Sequence, residues 1–364
     1  MRDWHDVSRH TPCPICGKFD WCRLSTDGVW AICRRVDTGS GRRKQDKGGA
    51  EYWRYRLDGN AMQPRPPVTC PVSLQPVCAD TGTLDRAYRA LLDALPLAPS
   101  HRQALRHRGL TDVEILRRRY RTFPLQGRAA LAKHLIAQLG ADLCAQVPGC
   151  YVAAHGGRRW WSLAGAAGLL IPVRNIDGHI VSLKVRADAP GTAPKYSTVS
   201  SAKHNGPSPG APVHVPLYAG GRGDTVRVTR VTEGELKGDV ATALGGVLTL
   251  SIPGVTMWRK ALPVLHDLQA AQVLLAFDAD WRTNPQVAYA LAQAALALTT
   301  AGYEVQVEDW DPALGKGIDD LLAAGHIPGR QSSALAFGAA VRGQARPWTG
   351  RLPTIAAEEA PRWR

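Results

Sequence analysis

No run of about 18 apolar residues occurs in the chain, so no membrane span is expected. The opening residues, Met1-Arg2-Asp3-Trp4-His5-Asp6, lack the apolar stretch of a signal peptide, and a cytoplasmic location is the expectation. A Walker A sequence is absent, which argues against a fused nucleotide-driven motor. There is no internal repeat. Acidic residues are in deficit: 31 Asp and Glu face 45 Lys and Arg, a formal net charge of +14. A balance this basic points to a polyanion, nucleic acid above all, against the blander reading of a solubility or arginine-usage bias.

At 364 residues the chain is too long for one ordinary core, and two or three domains are expected. Residues 1–58 form a module bearing cysteine and tryptophan. A proline-rich linker is placed at 59–81, carrying Pro64, Pro66, Pro67, Pro71 and Pro76. Residues 82–225 read first as helices. Leu84, Ala87, Leu91, Leu92 and Leu95 follow helical spacing, and Thr111-Asp112-Val113-Glu114 is a capping box. Short strands follow from about 151. Gly168–Val173 is one, Asn175-Ile176-Asp177-Gly178 a turn, and His179–Arg186 alternates with period two. Residues 226–328 alternate strand and helix. Strands are expected at Val226–Thr232, Val247–Ile252, Gln272–Phe277 and Tyr303–Val307, with the clearest helix at Val287–Thr300. That alternation is the pattern of a parallel α/β sheet. Residues 329–364 read as a tail.

Four of the eight cysteines lie within the first 33 residues. Cys13-Pro14-Ile15-Cys16-Gly17 is a zinc knuckle: the turn aims two thiolates at one ion. Ser25-Thr26-Asp27-Gly28 can close a hairpin that returns Cys33 to Cys22. Cys13, Cys16, Cys22 and Cys33 are therefore the candidate ligands of a structural Zn²⁺, with His10 the alternative fourth ligand if Cys22 faces away. Around them lie Arg23, Arg34, Arg35, Arg42, Arg43, Lys44 and Lys47. Trp21, Trp30 and Trp53 either stack on unpaired bases or pack the small core. Cys70, Cys78, Cys144 and Cys150 show no ligand spacing and read as small buried or linker residues.

Acidic residues recur at strand ends. Glu233 follows the first α/β strand, and Asp278 and Asp280 follow the third. Asp319-Asp320, after Gly315-Lys316-Gly317, opens the last helix. Ligands of open parallel sheets bind beyond the carboxyl ends of the strands. Extended backbone would turn Asp278 and Asp280 the same way, toward one ion. Hard oxygen donors suit Mg²⁺ or Mn²⁺, which could orient phosphates for in-line displacement. Glu235 and Asp239, inside the first helix, read as complements of its dipole.

Val231-Thr232-Glu233-Gly234, Phe277-Asp278-Ala279-Asp280 and Gly315-Lys316-Gly317-Ile318-Asp319-Asp320-Leu321-Leu322 resemble the Toprim motifs of bacterial DnaG-type primases and topoisomerases. Leu170–Val181 resembles the primase strand preceding Toprim, and Pro194-Lys195-Tyr196-Ser197 its Pro-Lys-Tyr segment. The resemblance is greatest to the primase-like proteins of plasmids, phages and other mobile elements. It implies a Toprim parallel-sheet domain, a preceding α+β primase-like subdomain and an N-terminal zinc ribbon. It also implies catalytic and metal-binding roles for Glu233, Asp278, Asp280 and Asp319, with Asp320 as a further metal ligand. Arg174, Lys184, Arg186, Lys195 and Lys237 become the nucleotide- and DNA-binding set, against ordinary strand-surface charge. The implied activity is primer synthesis on single-stranded DNA from ribonucleoside triphosphates, beside a replicative helicase. A Toprim nuclease, or a non-catalytic DNA-binding replication accessory, is the alternative. Two departures stand out. The ribbon lacks a second paired knuckle, and the last acidic motif is Gly-Ile-Asp-Asp where primases commonly have Asp-Pro-Asp. A topoisomerase is disfavoured, since no tyrosine has an obvious nucleophile context.

Overall fold

The computed structural model describes residues 3–8, 10–19, 21–38, 41–45, 51–57, 76–188, 194–218 and 226–332. Lys47, Cys70, most of the expected linker and the tail beyond residue 332 lie outside them. The described residues fall into two compact units, one within residues 1–73 and one within residues 74–343.

The first unit is a five-stranded antiparallel sheet. Its strands are β1 (Trp4–Asp6), β2 (Arg23–Ser25), β3 (Trp30–Cys33), β4 (Arg42–Gln45) and β5 (Glu51–Arg56), in the order β1-β2-β3-β5-β4. The hairpin expected at Ser25–Gly28 forms: Gly28 N–H donates to the Ser25 carbonyl, and Arg23 pairs with Ile32. That register carries Cys33 back beside Cys22. Trp30 joins the interior, Trp53 packs partly against it, and Trp21 stays in solvent at 64% exposure.

The second unit begins with α1 (Thr81–Asp93), α2 (Pro99–His107) and α3 (Asp112–Arg118). The α1 positions predicted from helical spacing are buried, and Asp80 caps the helix by accepting from Thr83 N–H. Thr111 likewise accepts from Glu114 N–H. The reciprocal half of the capping box is replaced by an ion pair, because Glu114 sits 2.6 Å from Arg118 on the next turn. Then come β6 (Arg121–Phe123), α4 (Arg128–Leu139), α5 (Ala141–Cys144), and a separate hairpin of β7 (Cys150–His155) and β8 (Arg158–Leu163). The strands β9 (Gly168–Arg174), β10 (Ile180–Ala187) and β11 (Tyr196–Thr198) complete an antiparallel sheet in the order β11-β10-β9-β6. Periodicity missed β6, whose three residues are too few to show an alternation. Cys144 and Cys150 are buried in this core, as expected of small apolar side chains.

The α/β portion runs β12 (Val228–Glu233), α6 (Glu235–Gly245), β13 (Leu248–Ile252), α7 (Ala261–Asp267), β14 (Gln272–Leu275), α8 (Pro285–Thr300), β15 (Glu304–Asp309), α9 (Ile318–Ala323) and β16 (Gly329–Ser332). The sheet order is β13-β12-β14-β15-β16; the first four strands are parallel and β16 is antiparallel. β16 lies where a tail was expected, since Gly-Arg-Gln-Ser carries no strand signal of its own. Leu250, Val273 and Leu275 on the strands and Phe277 just beyond β14, with Leu291 and Leu298 on α8, fill the main core. Among the described residues no helix is long and apolar enough to cross a membrane.

Candidate functional site

The parallel strands end together, and the acidic residues stand at that edge. Glu233 is the last residue of β12. Gly234 follows with φ +87°, a backbone turn that an L side chain rarely adopts, and α6 starts one residue later. β14 ends at Leu275, and the chain passes through Phe277 to Asp278. Asp278 does not lie on an extended segment with Asp280. A short 3₁₀ turn, Ala279–Arg282, starts behind it, with Trp281 N–H bonded to the Asp278 carbonyl. The expectation of extended backbone from Asp278 to Asp280 is therefore corrected. The turn leaves Asp278 buried at 5% exposure and Asp280 partly in solvent.

Two lysines bind this acidic group together. Lys237, one turn into α6, donates to Asp278 and lies 3.9 Å from Glu233. Lys316 lies 3.6 Å from Asp278 and 3.7 Å from Asp280. Its carbonyl also accepts from Ala279 N–H, which ties the loop before α9 to the loop after β14. Gly317 is a contact of necessity. A Cβ there would stand 2.4 Å from Asp319 Oδ1 and 3.2 Å from the Lys237 stem. Asp319 itself is buried, and Arg108, at the end of α2, reaches it at 2.6 Å. Asp320 turns instead to Gly317 N–H at 3.2 Å, capping α9.

Burial sets the electrostatics. It raises the Glu233 carboxyl above the usual range, with Lys237 opposing and Asp278 reinforcing. Burial likewise raises Asp319, which Asp320 adds to and Arg108 opposes. For Lys237 burial works against the charge, but Asp278 and Glu233 outweigh it and raise its pKa. Asp280 Oδ1 and Asp319 Oδ1 are buried with no hydrogen-bond partner. Orphaned carboxylate oxygens fit a hard divalent cation in kind. Among the described residues, however, only the cysteines gather three or more ligand atoms within 4.8 Å of one another. Lys237 occupies part of the room an ion at Asp278 would take.

Other predicted residues fall elsewhere. Arg174 was expected on an exposed strand end; it is buried at 2% exposure, donating to the Arg118 carbonyl. Lys184 is committed to Glu235 at 2.7 Å. Arg186 lies on β10 and Lys195 just before β11, Lys195 over the Tyr196 ring, and neither pairs with the acidic group among the described residues. Glu235 and Asp239 are not helix-dipole ornaments, because both are buried and paired. Asp239 accepts from Tyr120 at 2.6 Å, and its other oxygen lies 3.1 Å from Arg118 and 3.3 Å from His214. This network joins α3, Tyr120 just ahead of β6, and the segment before β12 to the helix that carries Lys237. Sequence reasoning missed Arg108 and Lys316 as members of the site. Lys316 adjoined a recognised motif, but nothing local marks Arg108, since its partner is 211 residues away.

In the first unit the four thiols converge. Cys16 and Cys22 sulfurs are 3.7 Å apart, and Cys22 and Cys33 4.0 Å. A tetrahedral zinc with bonds of about 2.3 Å has sulfur–sulfur edges of about 3.8 Å. Val36 N–H also points to Cys33 Sγ at 3.4 Å. Hydrogen bonds from Cys22 and Cys33 lower Cys13 to about 2, whereas its bond to Cys13 pushes Cys22 up to about 12. Packed this closely, the thiols hold one thiolate easily and further ones only with a cation among them. The cluster is consistent with zinc binding. Cys22 faces inward, so His10 stays exposed and outside the cluster.

A four-cysteine sheet and a primase-type core with a parallel-dominated, Toprim-like sheet define the class of fold. Comparison with known proteins agrees. Residues 225–327 match a family described as a domain of unknown function, DUF3854. The zinc-binding and RNA polymerase domains of the Aquifex aeolicus primase superpose with a TM-score of 0.52 at 14% identity, over 73% of this chain and 67% of that one. A DNA primase domain from Pseudomonas aeruginosa gives 0.51 at 19%, over 71% and 78%. A DnaG catalytic core gives 0.50 at 18%, over 71% and 79%. At these identities the likeness establishes the fold. No curated protein sequence matches the chain.

Proposed function

We propose that the protein is a DNA-dependent primase that synthesises short primers on single-stranded DNA. The observation carrying this reading is that Glu233, Asp278 and Asp319 surround Lys237 and that Asp278 and Asp280 share Lys316 beyond the ends of the parallel strands, with Asp280 and Asp319 each keeping an orphaned oxygen. Those four carboxylates would hold Mg²⁺ or Mn²⁺. A bound divalent ion supplies charge stabilisation for displacement at phosphorus. Lys237, Lys316 and Arg108 bring three cations to the same edge, where they can receive the triphosphate of an incoming ribonucleotide. Arg186 and Lys195, earlier in the chain at β10 and just before β11, supply further phosphate contacts. Lys184 steadies Glu235, two residues beyond Glu233. The zinc unit grips template, and a replicative helicase supplies the exposed strand.

One observation favours a non-catalytic DNA-binding accessory instead: Lys237 already neutralises Asp278. A single assay separates the readings. The protein is incubated with single-stranded DNA, labelled ribonucleoside triphosphates and Mg²⁺ or Mn²⁺. Short products, absent with Asp278→Ala, support the primase. Cleaved template identifies a nuclease, and binding with neither product leaves the accessory.

A further inference from the structure

The β7–β8 hairpin is a two-stranded sheet of its own, joined through Gly156 and Gly157, both at positive φ as a tight hairpin turn requires. Cys150 pairs with Leu163 and Val152 with Trp161. Cys150, Leu163 and Trp161 pack into the helical core, so they define the inner face. Alternation then places Tyr151, Ala153, His155, Arg158 and Trp160 on the outer face. Trp160 is 41% exposed, and Arg158, Arg159 and His155 are exposed as well. Tyr151 stacks on His204 with ring centroids 3.7 Å apart, which brings exposed Lys203 beside the hairpin.

An exposed Trp on a small hairpin normally finds a cover, and exposed arginines normally find carboxylates. Among the described residues Arg158, Arg159 and Lys203 form no ion pair. The chain has no acidic residue at positions 143–176 or 189–223, so both segments forming this patch lack carboxylates altogether. The face combines aromatic rings with uncompensated cations. That is the chemistry of a platform for an unpaired nucleic-acid strand: rings take bases by stacking and cations take phosphates, with no need for sequence.

We propose that the outer face of this hairpin, Trp160 and Tyr151–His204 flanked by Arg158 and Lys203, binds single-stranded DNA. The assignment deepens the primase reading by naming where template is held outside the acidic edge, and it rests on that reading for the choice of DNA. Trp160 and the Tyr151–His204 pair take bases, and the two cations take backbone phosphates.

The test is anisotropy of a fluorescein-labelled 20-nucleotide oligo(dT) with the full chain, across a salt series. Arg158→Glu with Lys203→Glu is expected to weaken binding at least tenfold and to flatten the plot of log K against log salt by about 1.4, two phosphate contacts on a single strand. Trp160→Ala is expected to weaken it about tenfold with the slope unchanged, and Trp160→Phe to retain it. Lys203→Glu lies on a separate segment and must weaken binding too, which guards against a hairpin that misfolds. Unchanged binding in Trp160→Ala and Lys203→Glu overturns the proposal. So does a preference for duplex DNA or phosphatidylserine vesicles that the same variants abolish. If the variants lose binding while the unaltered chain makes no primers, the primase reading fails and this surface stands. If synthesis persists and the variants bind normally, only the surface fails.

Discussion

Lys237 lies between Glu233 and Asp278, so any cation that uses those carboxylates competes with an ammonium already there. Two unit charges about 4 Å apart interact by about 1 kcal/mol in water and about 4 kcal/mol near a protein surface. Lys237→Met is therefore expected to tighten Mn²⁺ binding by about tenfold or more, read by titration calorimetry or by paramagnetic resonance of the free ion. Weaker binding in that variant would mean that the lysine organises the acids rather than opposing the metal. Asp239 is the other decisive single residue. Burial alone would raise its pKa, but His214 and Arg118 hold it down at about 2, below an ordinary value of 3.8. A depressed carboxylate stabilises the fold above its unfolded pKa and loses that contribution as pH falls through the folded one. Asp239→Asn is expected to cost about 2 kcal/mol at neutral pH, because Arg118 and His214, which hold its pKa down, lose their counter-charge. Its melting temperature should converge on that of the unaltered protein between about pH 4 and pH 2; a gap that persists at pH 2 would assign the loss to packing.

Among the elements, α9 and the loop before it show how close approach decides a site. Gly317 has no room for a methyl group against Asp319 and the Lys237 stem. Gly317→Ala is expected to shift those two side chains, and with them Mn²⁺ affinity, while melting changes by no more than about 1 kcal/mol. An unaltered metal titration would show that the loop simply yields. The parallel strands and helices of this region were legible in advance, because each has a single clear period and a buried face. Their acidic ends were legible too, since strand order puts carboxyl termini on one edge. The conformation at Asp278 was not. Alternation describes strands, and the chain leaves the strand at Leu275, so the side chain of Asp280 is aimed by a 3₁₀ turn. The β7–β8 hairpin was blurred for a related reason: Gly-Gly-Arg-Arg-Trp-Trp shows no clean alternation until the register is known.

For the whole molecule, the four thiols and the acidic edge belong to different compact units, so their stabilities are separable. Cys13→Ser is expected to lose stoichiometric zinc by elemental analysis. The melting of the second unit should be preserved, because its cores contain none of these cysteines. Full zinc content in that variant would refute the ligand assignment. A net charge of +14 further predicts that affinity for single-stranded DNA falls steeply with salt.

Local pattern sufficed for what is local. The cysteine knuckle, the amphipathic α1, the capped α3, the strand–helix alternation and the carboxylates at strand ends each depend on residues within a few positions of one another, and the sequence alone determined them. The tertiary structure decided what depends on distant partners. It took Arg174 out of solvent, gave Asp239 to Arg118, Tyr120 and His214, gave Lys184 to Glu235, and brought Arg108 to Asp319. A charge buried by packing must find its counter-charge wherever the fold delivers one, and no spacing along the chain encodes that meeting.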